Sequence, residues 1–367
     1  MPSIERGIAV IIPPRQLKSV YGLPEDVLGV QAAQDQTLQV DWTIWDKRVT
    51  SVRFHISVIR HQLTRNLKQL TPAIADELKR GFDQWWGTGT EWRELSIWDS
   101  CFKLVAGASN RAFCGVPLLY AGRKGETRED GDAEVRSQLL LVTPIHNLIL
   151  DLVSSDPAKG YVKALREECD RVIKEAGGSW TFEAINKLKL VDSAIRESIR
   201  FTPITSVGLP RTVVHPDGIQ LENSDVKIPY GTTLATPMEA IHYDEDIYKN
   251  ARQFDAFRFA HPDVVNDIFD AFGQAATKEE KKHSNNKPRS SLNLDDAFVG
   301  FGFGKHGCPG RYFALNEMKI FVAHMLLHYD LESVKQRPQL IDFLWLKLPF
   351  HGGKVRVRRR AGAPLPV

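Results

Sequence analysis

The stretch FGFGKHGCPGRYFA, residues 301–314, decides the fold. Three glycines precede Cys308 in it, and glycine tolerates positive φ and close approach of the backbone to a flat ligand. Pro309 follows the cysteine and suits the first position of a helix, where its missing N–H costs nothing. Cys308 is therefore predicted to lie at a helix N-terminus, where the helix dipole and free N–H groups stabilise a thiolate.

Two interpretations of this cysteine compete. A thiolate at the end of a glycine-rich loop can ligate a haem iron from one side. The alternative is a buried structural cysteine beside a glycine loop, which is the better interpretation for an isolated cysteine. The whole string favours the haem ligand, because it fixes many positions at once.

The string resembles the FxxGxxxCxG signature of the cytochrome P450 family. The resemblance implies haem as cofactor, with Cys308 as the axial ligand of its iron. Many members carry arginine two residues before the cysteine; this chain has histidine there, which can still donate to a haem propionate. The cofactor-binding positions implied within the stretch are Phe301, Gly302, Gly304, His306, Cys308 and Gly310.

Two further segments follow the order of the family. Glu197 and Arg200 lie three residues apart on one face of a predicted helix over residues 181–200, so they can pair. A weak surface salt bridge is the usual interpretation of such a pair; the resemblance instead implies the buried ExxR pair of the haem-side core. The segment FDAFRF, residues 254–259, resembles the PERF-like segment of the family, and Arg258 would complete a triad with the pair.

Contacts to the haem propionates follow by position in the family. His61 and Arg65 stand four residues apart on one helix face and match the WxxxR helix, with histidine in place of tryptophan. For Arg65 a solvated helix residue is an equally good interpretation. Arg211, at the start of a predicted strand, matches a propionate-binding arginine. His242 fits the family pattern without an assignable role.

Hydrophobic periodicity predicts a mainly α fold with a small β portion in a single domain over residues 1–367, and the resemblance implies the cytochrome P450 fold. Residues 1–50 are predicted as short strands and loops, and 276–292 as a polar loop. The predicted helices span residues 55–86, 135–153, 157–176, 181–200 and 309–329. Two hairpins are predicted between residues 211 and 235, and a closing strand at 354–360.

The resemblance is incomplete in two places. The chain begins beyond the membrane anchor that most eukaryotic members carry, and an internal gap is expected near residues 117–142, where the family places helices that roof the substrate pocket. On the distal helix Thr143 is the candidate alcohol for proton delivery to dioxygen. Pro144 is expected to push it out of helical conformation and to kink the helix. The alternative is a helix-breaking Thr-Pro without a catalytic role.

Composition excludes several classes of protein. Hydrophobic residues make up 43% of the 367 residues and charged residues 25%, which excludes a disordered or low-complexity chain. A net charge of +3 does not predict a nucleic-acid partner. The spacing of the four cysteines excludes a CxxC zinc site, and the sequence has no transmembrane segment. The cysteines are Cys101, Cys114, Cys169 and Cys308.

The function that the resemblance implies is a haem-thiolate monooxygenase, which uses dioxygen and electrons from NADPH to oxidise a small apolar substrate. The amino-acid sequences of residues 306–314 and 240–259 resemble those of filamentous-fungal members, which implies secondary metabolism and a terpenoid-like substrate. An NADPH–cytochrome reductase would dock where Lys305, Arg311 and Lys319 offer positive charge. The family expectation for localisation is the cytosolic face of the endoplasmic reticulum membrane. The alternatives are a haem-thiolate isomerase or dehydratase, and a non-catalytic haem-binding remnant.

Overall fold

A computed structural model describes most of the chain. It covers residues 2–3, 7–46, 54–121, 132–222, 225–271, 289–348 and 353–362. Most of the predicted polar loop at 276–292, up to residue 288, lies outside these described residues.

Helices dominate the described part of the chain, which confirms the predicted mainly α class. Long amphipathic helices form because apolar residues recur every three or four positions and one face of each helix is buried. In chain order the helices are α1 Leu17–Tyr21, α2 Val30–Leu38, α3 Val40–Thr43, α4 Phe54–Val58, α5 Leu67–Trp85, α6 Ile97–Ala121, α7 Asp132–Val153, α8 Tyr161–Glu175, α9 Phe182–Lys187, α10 Lys189–Phe201, α11 Met238–His242, α12 Pro262–Ala271 and α13 Arg311–His328.

The strands form small sheets. In chain order they are β1 Pro2–Ser3, β2 Gly7–Ile11, β3 Leu28–Gly29, β4 Arg93–Ser96, β5 Gly208–Val213, β6 Ile219–Gln220, β7 Lys227–Ile228, β8 Thr233–Thr236, β9 Tyr329–Leu331, β10 Ile341–Phe343, β11 Leu346–Leu348 and β12 Lys354–Arg359. The largest sheet has the order β1-β2-β8-β5-β3, and β12 joins β4 to β9 in a second one. The predicted closing strand at 354–360 is thereby confirmed. The strands of the two predicted hairpins also form, but their predicted pairing is wrong: β5 pairs with β8, and β6 pairs with β7 between them. Local turn signals predict pairing between neighbouring strands, and they do not reveal that the outer strands pair with each other.

Two helices lie at the centre of the core. Every residue of α13 from Phe313 to His328 is buried. In α10 every residue from Leu190 to Arg200 is buried, polar side chains included. Because a helix buried all round must satisfy its polar groups internally, the polar side chains of α10 are expected to bind neighbouring segments.

Several predicted boundaries are wrong in an informative way. The first 50 residues contain α1, α2 and α3 as well as short strands. The single helix predicted over 55–86 is interrupted by a π-helical turn at Ile59–Leu63, and Leu188, with ψ of 87°, separates α9 from α10. Propensity windows do not resolve such one-residue breaks, because tertiary packing decides them.

The expectation for Thr143 and Pro144 is also wrong. Helix α7 continues through Pro144, and Thr143 remains inside the helix. Proline removes one hydrogen bond of the helix, but α7 packs against both α6 and α10 and this packing holds the helix together. None of the helices in the described parts of the chain combines the length and the apolar character needed to cross a membrane.

Helices α6 and α13 are joined by a buried polar contact. The hydroxyl of Ser109 donates to the carboxyl group of Glu317, with distances of 3.0 and 3.3 Å to its two oxygens. Glu317 is fully buried, and burial raises its pKa to about 8, while the hydrogen bond from Ser109 lowers it. The acid is therefore neutral in the folded protein at pH 7 and would become a buried charge only at higher pH.

This shift predicts a pH-dependent effect of Glu317→Gln. The folded pKa lies above the unfolded value of 4.5, so the wild type loses stability as the pH rises from about 4.5 to about 8. Glutamine mimics the neutral acid and has no such loss. The variant is expected to be more stable than the wild type by about 3 kcal/mol at pH 7 and by much less near pH 5. Urea unfolding at several pH values measures this, and Glu91→Gln, at an exposed glutamate, is the control. Equal pH profiles for wild type and Glu317→Gln would contradict the prediction.

Candidate functional site

The cysteine lies at the end of a closed backbone turn. The N–H of Cys308 donates to the carbonyl of Phe301 at 2.7 Å, and the N–H of Gly307 donates to the carbonyl of Gly304 at 3.1 Å. Gly302 has a φ of 87° and Gly304 a φ of 61°, which confirms the positive φ predicted at both positions. The turn therefore depends on glycine for its backbone conformation.

Gly307 is needed for a different reason. Its φ is −58°, so Gly307 does not use the positive φ that glycine tolerates and instead permits a close approach. A Cβ at this position would collide with the Cδ1 atom of Leu294. Leu294 belongs to the segment that leads into the turn, so Gly307 permits the close packing of the turn on its own approach.

Cys308 is exposed. Partial burial of the thiol raises its pKa, and the N–H of Gly310 together with the charge and the N–H of Arg311 lowers it without cancelling the rise. The helix begins at Arg311, two residues after Pro309. The N–H groups at the helix start therefore favour the thiolate as predicted, but burial outweighs them; a metal cation at the sulphur would deprotonate the thiol outright.

The turn packs along the segment that follows α1. The rings of Phe303 and Tyr21 meet edge to face with centroids 6.4 Å apart, and the Nζ of Lys305 donates to a backbone carbonyl of that segment at 3.2 Å. The Nε2 of His306 lies 3.4 Å from a carboxylate oxygen of Glu25. The role of His306 toward a propionate stays a prediction.

Arg211 approaches the same region. It is 5% exposed, and its guanidinium lies over the ring of Tyr21 at 4.9 Å from the centroid. Because Tyr21 also contacts Phe303, the structure brings Arg211 and the cysteine turn to two sides of one aromatic ring. Its role toward a propionate stays a prediction.

A cavity of about 340 Å³ lies beside the turn. Arg60 and Thr64, from the interrupted helix, face Arg311 and Tyr312 across it. Its other lining residues all belong to the turn: Gly304, Lys305, Gly307 and Pro309.

Arg60, rather than His61 or Arg65, is the basic residue of the interrupted helix that lines the cavity. His61 and Arg65 are exposed. The π-helical turn at Ile59–Leu63 changes which side chains of this helix share a face, whereas four-residue spacing assumes a regular helix. The role of Arg65 toward a propionate stays a prediction.

Glu197, Arg200 and Arg258 form the predicted triad. Arg200 donates to both carboxylate oxygens of Glu197, at 2.7 and 2.8 Å, and the Nε of Arg258 lies 3.0 Å from each oxygen. The N–H of Asp255 adds a bond of 3.1 Å to the same carboxylate. Glu197 and Arg200 are fully buried and Arg258 nearly so, which excludes the surface salt bridge.

Backbone carbonyls satisfy the rest of both guanidinium groups. Arg200 donates to the carbonyls of His242 at 2.6 Å and Ala251 at 2.8 Å, and Arg258 to that of Lys249 at 2.6 Å. Burial lowers the pKa of Arg200, but the hydrogen bonds and charge of Glu197 outweigh it and raise the pKa overall. Arg200 therefore stays charged, and α10 fixes the position of residues 242–258.

A second anchor from α10, which the motifs did not predict, holds the approach to the cysteine. Arg196 donates to the carbonyl of Ser290 at 2.6 Å and to the carboxylate of Asp295 at 3.2 Å, and its guanidinium lies 3.8 Å from the ring centroid of Phe298. Asp295 accepts the N–H groups of Ala297 and Phe298. The only sequence signal was an aspartate before a short apolar run, a common turn pattern.

Thr143 lies apart from these groups. It is 1% exposed inside α7 and is not among the residues that line the cavity beside the turn. The side chains of residues 116–140, where the internal gap is expected, lie outside the described residues. The catalytic role of Thr143 stays a prediction.

The residues around Cys308 fit a haem on its thiolate side. Cys308 is exposed, no atom lies within 4 Å of a Cβ built on Gly304, and Gly302 and Gly304 both adopt positive φ. Among the described residues, no cluster of three or more His, Cys, Asp or Glu side chains could hold a metal ion. A single protein thiolate as the axial ligand of a porphyrin-bound iron needs no such cluster.

The triad predicts a large effect of Glu197→Gln. The substitution leaves two buried guanidinium groups around a neutral amide, and loss of one partner of a buried ion pair costs about 3–5 kcal/mol. Urea unfolding of the haem-free protein and haem content after expression measure the effect. Glu175→Gln, which breaks the exposed pair with Lys187, is the control and should lose less than about 1 kcal/mol. Equal losses in the two variants would contradict a structural role for the buried triad.

Comparison with known proteins agrees with this geometry. A family model described as cytochrome P450 matches residues 158–355. The cytochrome P450 monooxygenase okaG of Penicillium ochrochloron is 36% identical to this chain, covering 98% of it and 86% of the relative. The monooxygenase gloP of Glarea lozoyensis is 25% identical, with 98% and 83% covered, and htyF of Aspergillus rugulosus is 25% identical, with 96% and 65% covered.

The matched region contains the triad, the cysteine turn and the segments between them. The first of these relatives also aligns over nearly all of the chain. The chain belongs to the cytochrome P450 family, whose members bind haem through a cysteine thiolate.

Proposed function

We propose that this chain is a haem-thiolate monooxygenase that oxidises an apolar, terpenoid-like secondary metabolite in a fungal biosynthetic pathway. The observation that carries the proposal is the exposed thiol of Cys308 at the end of a glycine turn whose approach is held by buried ion pairs. The similarity to fungal monooxygenases supports the reaction class. The terpenoid-like class of substrate is proposed from the amino-acid sequences of residues 240–259 and 306–314 alone.

Haem bound to a thiolate supplies activation of dioxygen, because the thiolate pushes electron density toward cleavage of the O–O bond. The chain contributes ligation and positioning. Cys308 supplies the sulphur, and the N–H groups of Gly310 and Arg311 stabilise charge on it. By the resemblance, Arg65, Arg211 and His306 are the residues that would hold the carboxylates of the porphyrin.

The substrate side of the site is where the chain departs from its relatives. The alignment to okaG spans 462 positions, whereas this chain has 367 residues, so residues of the relative stand opposite gaps in this chain. We propose that these gaps include the helices that roof the substrate pocket, near residues 117–142. The genomic sequence around codons 115–142 tests this: an in-frame segment encoding the missing helices supports it, and an uninterrupted exon argues against a misassembled reading frame.

The proposed function predicts the effect of Cys308→Ala. In the wild type, the reduced carbon-monoxide adduct should show the red-shifted Soret band of a thiolate haem. The variant should lose this band, because Cys101 and Cys169 are buried and Cys114 lies on α6, outside the turn. Cys114→Ala, which removes the other exposed cysteine, is the matched control and should keep the band. A wild type without the band, or a band that survives in Cys308→Ala, would overturn the assignment.

The site of electron entry is proposed to be the cationic cavity beside the turn. Arg60, Lys305 and Arg311 line it, and no carboxylate is among its lining residues. Lys319, which the sequence analysis placed on this surface, is instead 3% exposed and pairs with Asp192 at 3.2 Å. An acidic face of a reductase is the partner of matching charge.

Charge reversal at Lys305 tests this surface. Lys305→Glu is expected to slow the reduction of the haem by an NADPH–cytochrome reductase about tenfold at low salt, and less at high salt, because steering by exposed charges is screened. Stopped-flow reduction measures the rate. The control is Lys347→Glu, which should leave the rate unchanged. Lys347 lies on β11 and pairs with Glu239. An equal, salt-independent rate for wild type and Lys305→Glu would contradict the docking site.

A further inference from the structure

A continuous series of hydrogen bonds runs from the triad to Cys308. Arg200 donates to the backbone carbonyl of His242 at 2.6 Å. The Nε2 of His242 accepts the N–H of Val299 at 3.3 Å. The carbonyl of Val299 then accepts the N–H of Gly302 at 3.0 Å. This N–H belongs to the same peptide group as the carbonyl of Phe301, which accepts the N–H of Cys308. The imidazole of His242 is the only side chain in this series between Arg200 and the turn.

The position of the His242 ring is fixed from several sides. The side chain is fully buried and stacks on the ring of Phe298, with centroids 5.7 Å apart and planes at 19°. Because Nε2 accepts a hydrogen bond, the proton of the neutral ring is assigned to Nδ1. Burial, together with the charges of Arg200 and Arg196, lowers the pKa of His242 to about 3, so the ring stays neutral and Nε2 stays an acceptor at physiological pH.

The orientation of the His242 ring leaves one of its polar atoms unpaired. The Nδ1 atom of His242 is buried without a hydrogen-bond partner among the described residues. An apolar ring of the same shape would avoid that loss, but it would leave the buried N–H of Val299 without its acceptor. The hydrogen bond from Val299 is therefore the contribution that distinguishes histidine from phenylalanine at this position.

We propose that His242 is a positioning residue that transfers the fixed geometry of the Glu197–Arg200 pair to the cysteine turn and so keeps Cys308 ligated to the haem iron as a thiolate. This inference rests on the proposed function. His242 does not touch the reacting atoms; it acts through Val299 and the turn that follows. Without the acceptor, the residues from Val299 to Cys308 would open more often, and the iron–thiolate bond would be lost more readily.

Two substitutions at His242 separate its acceptor from its ring. His242→Phe keeps a stacked ring and removes the acceptor, whereas His242→Gln places an amide oxygen near the position of Nε2. Ser193→Ala is the matched control. The hydroxyl of Ser193, on α10, accepts the buried N–H of Phe259 at 3.0 Å, and this contact is not part of the series that leads to Cys308. Both losses leave one buried N–H unpaired, so they should lower the free energy of unfolding by similar amounts.

The spectroscopic measurement is the rate at which the reduced carbon-monoxide adduct of the haem-loaded protein converts from the thiolate form to the form without thiolate, per haem bound. His242→Phe is expected to raise this rate about fivefold or more. His242→Gln should return it to within about twofold of the wild type, and Ser193→Ala should leave it near the wild-type value. Equal rates in His242→Phe and Ser193→Ala, or no rescue by glutamine, would overturn the proposal.

Hydrogen exchange of the haem-free protein provides a second readout that does not depend on ligation. Peptides that cover residues 298–309 should exchange faster in His242→Phe than in Ser193→Ala, and at the wild-type rate in His242→Gln. Equal exchange in all variants would also overturn the proposal. If the wild type lacks a thiolate-type adduct while exchange changes as expected, the proposed function fails and the connection between His242 and the turn stands.

Discussion

The carboxylate of Glu197 is the constraint on which the rest of the site depends. It lies without solvent contact between two guanidinium groups, and an isolated charge there would cost far more than a folded domain can offset. The pair is retained only because Arg200 and Arg258 find further partners in backbone carbonyls of residues 242–253. The satisfaction of one buried charge therefore specifies the path of a segment that has little regular structure of its own.

The same helix specifies the approach to the cysteine by a different set of contacts. Asp192 accepts the hydroxyl of Ser290 and the N–H of Ser291, and Arg196 binds the carbonyl of Ser290 and the carboxylate of Asp295. A loop that carries an exposed ligand residue must be rigid without a secondary structure, and it obtains rigidity by bonding its backbone to a helix that is itself buried. Helix α10 thus determines the geometry of Cys308 although it does not contact the thiol.

The sequence predicted those parts of the site that depend on a few residue types at fixed spacing. The cysteine turn, the pair on α10 and Arg258 were accessible because glycine, cysteine and buried charges have few substitutes there. The position of Arg60 in the cavity could not be predicted, because a single π-helical turn changes which side chains share a helix face. No pattern in residues 55–65 signals that turn. The helical continuity of α7 through Pro144 was missed for a similar reason, since packing against α6 and α10 overrides a local preference.

The pKa of Cys308 separates what the protein contributes to ligation, the conformation of the turn, from what a bound haem would contribute, deprotonation of the thiol. In the protein alone, partial burial keeps the proton on the thiol despite the neighbouring N–H groups of Gly310 and Arg311. A bound iron would supply the charge that deprotonates the thiol, so ligation would depend on pH and on the time the turn spends in the right conformation. A turn held by its backbone, rather than by the chemistry of its side chains, leaves the sulphur exposed and available. The buried ion pairs of α10 contribute to ligation by keeping that conformation populated before the metal binds.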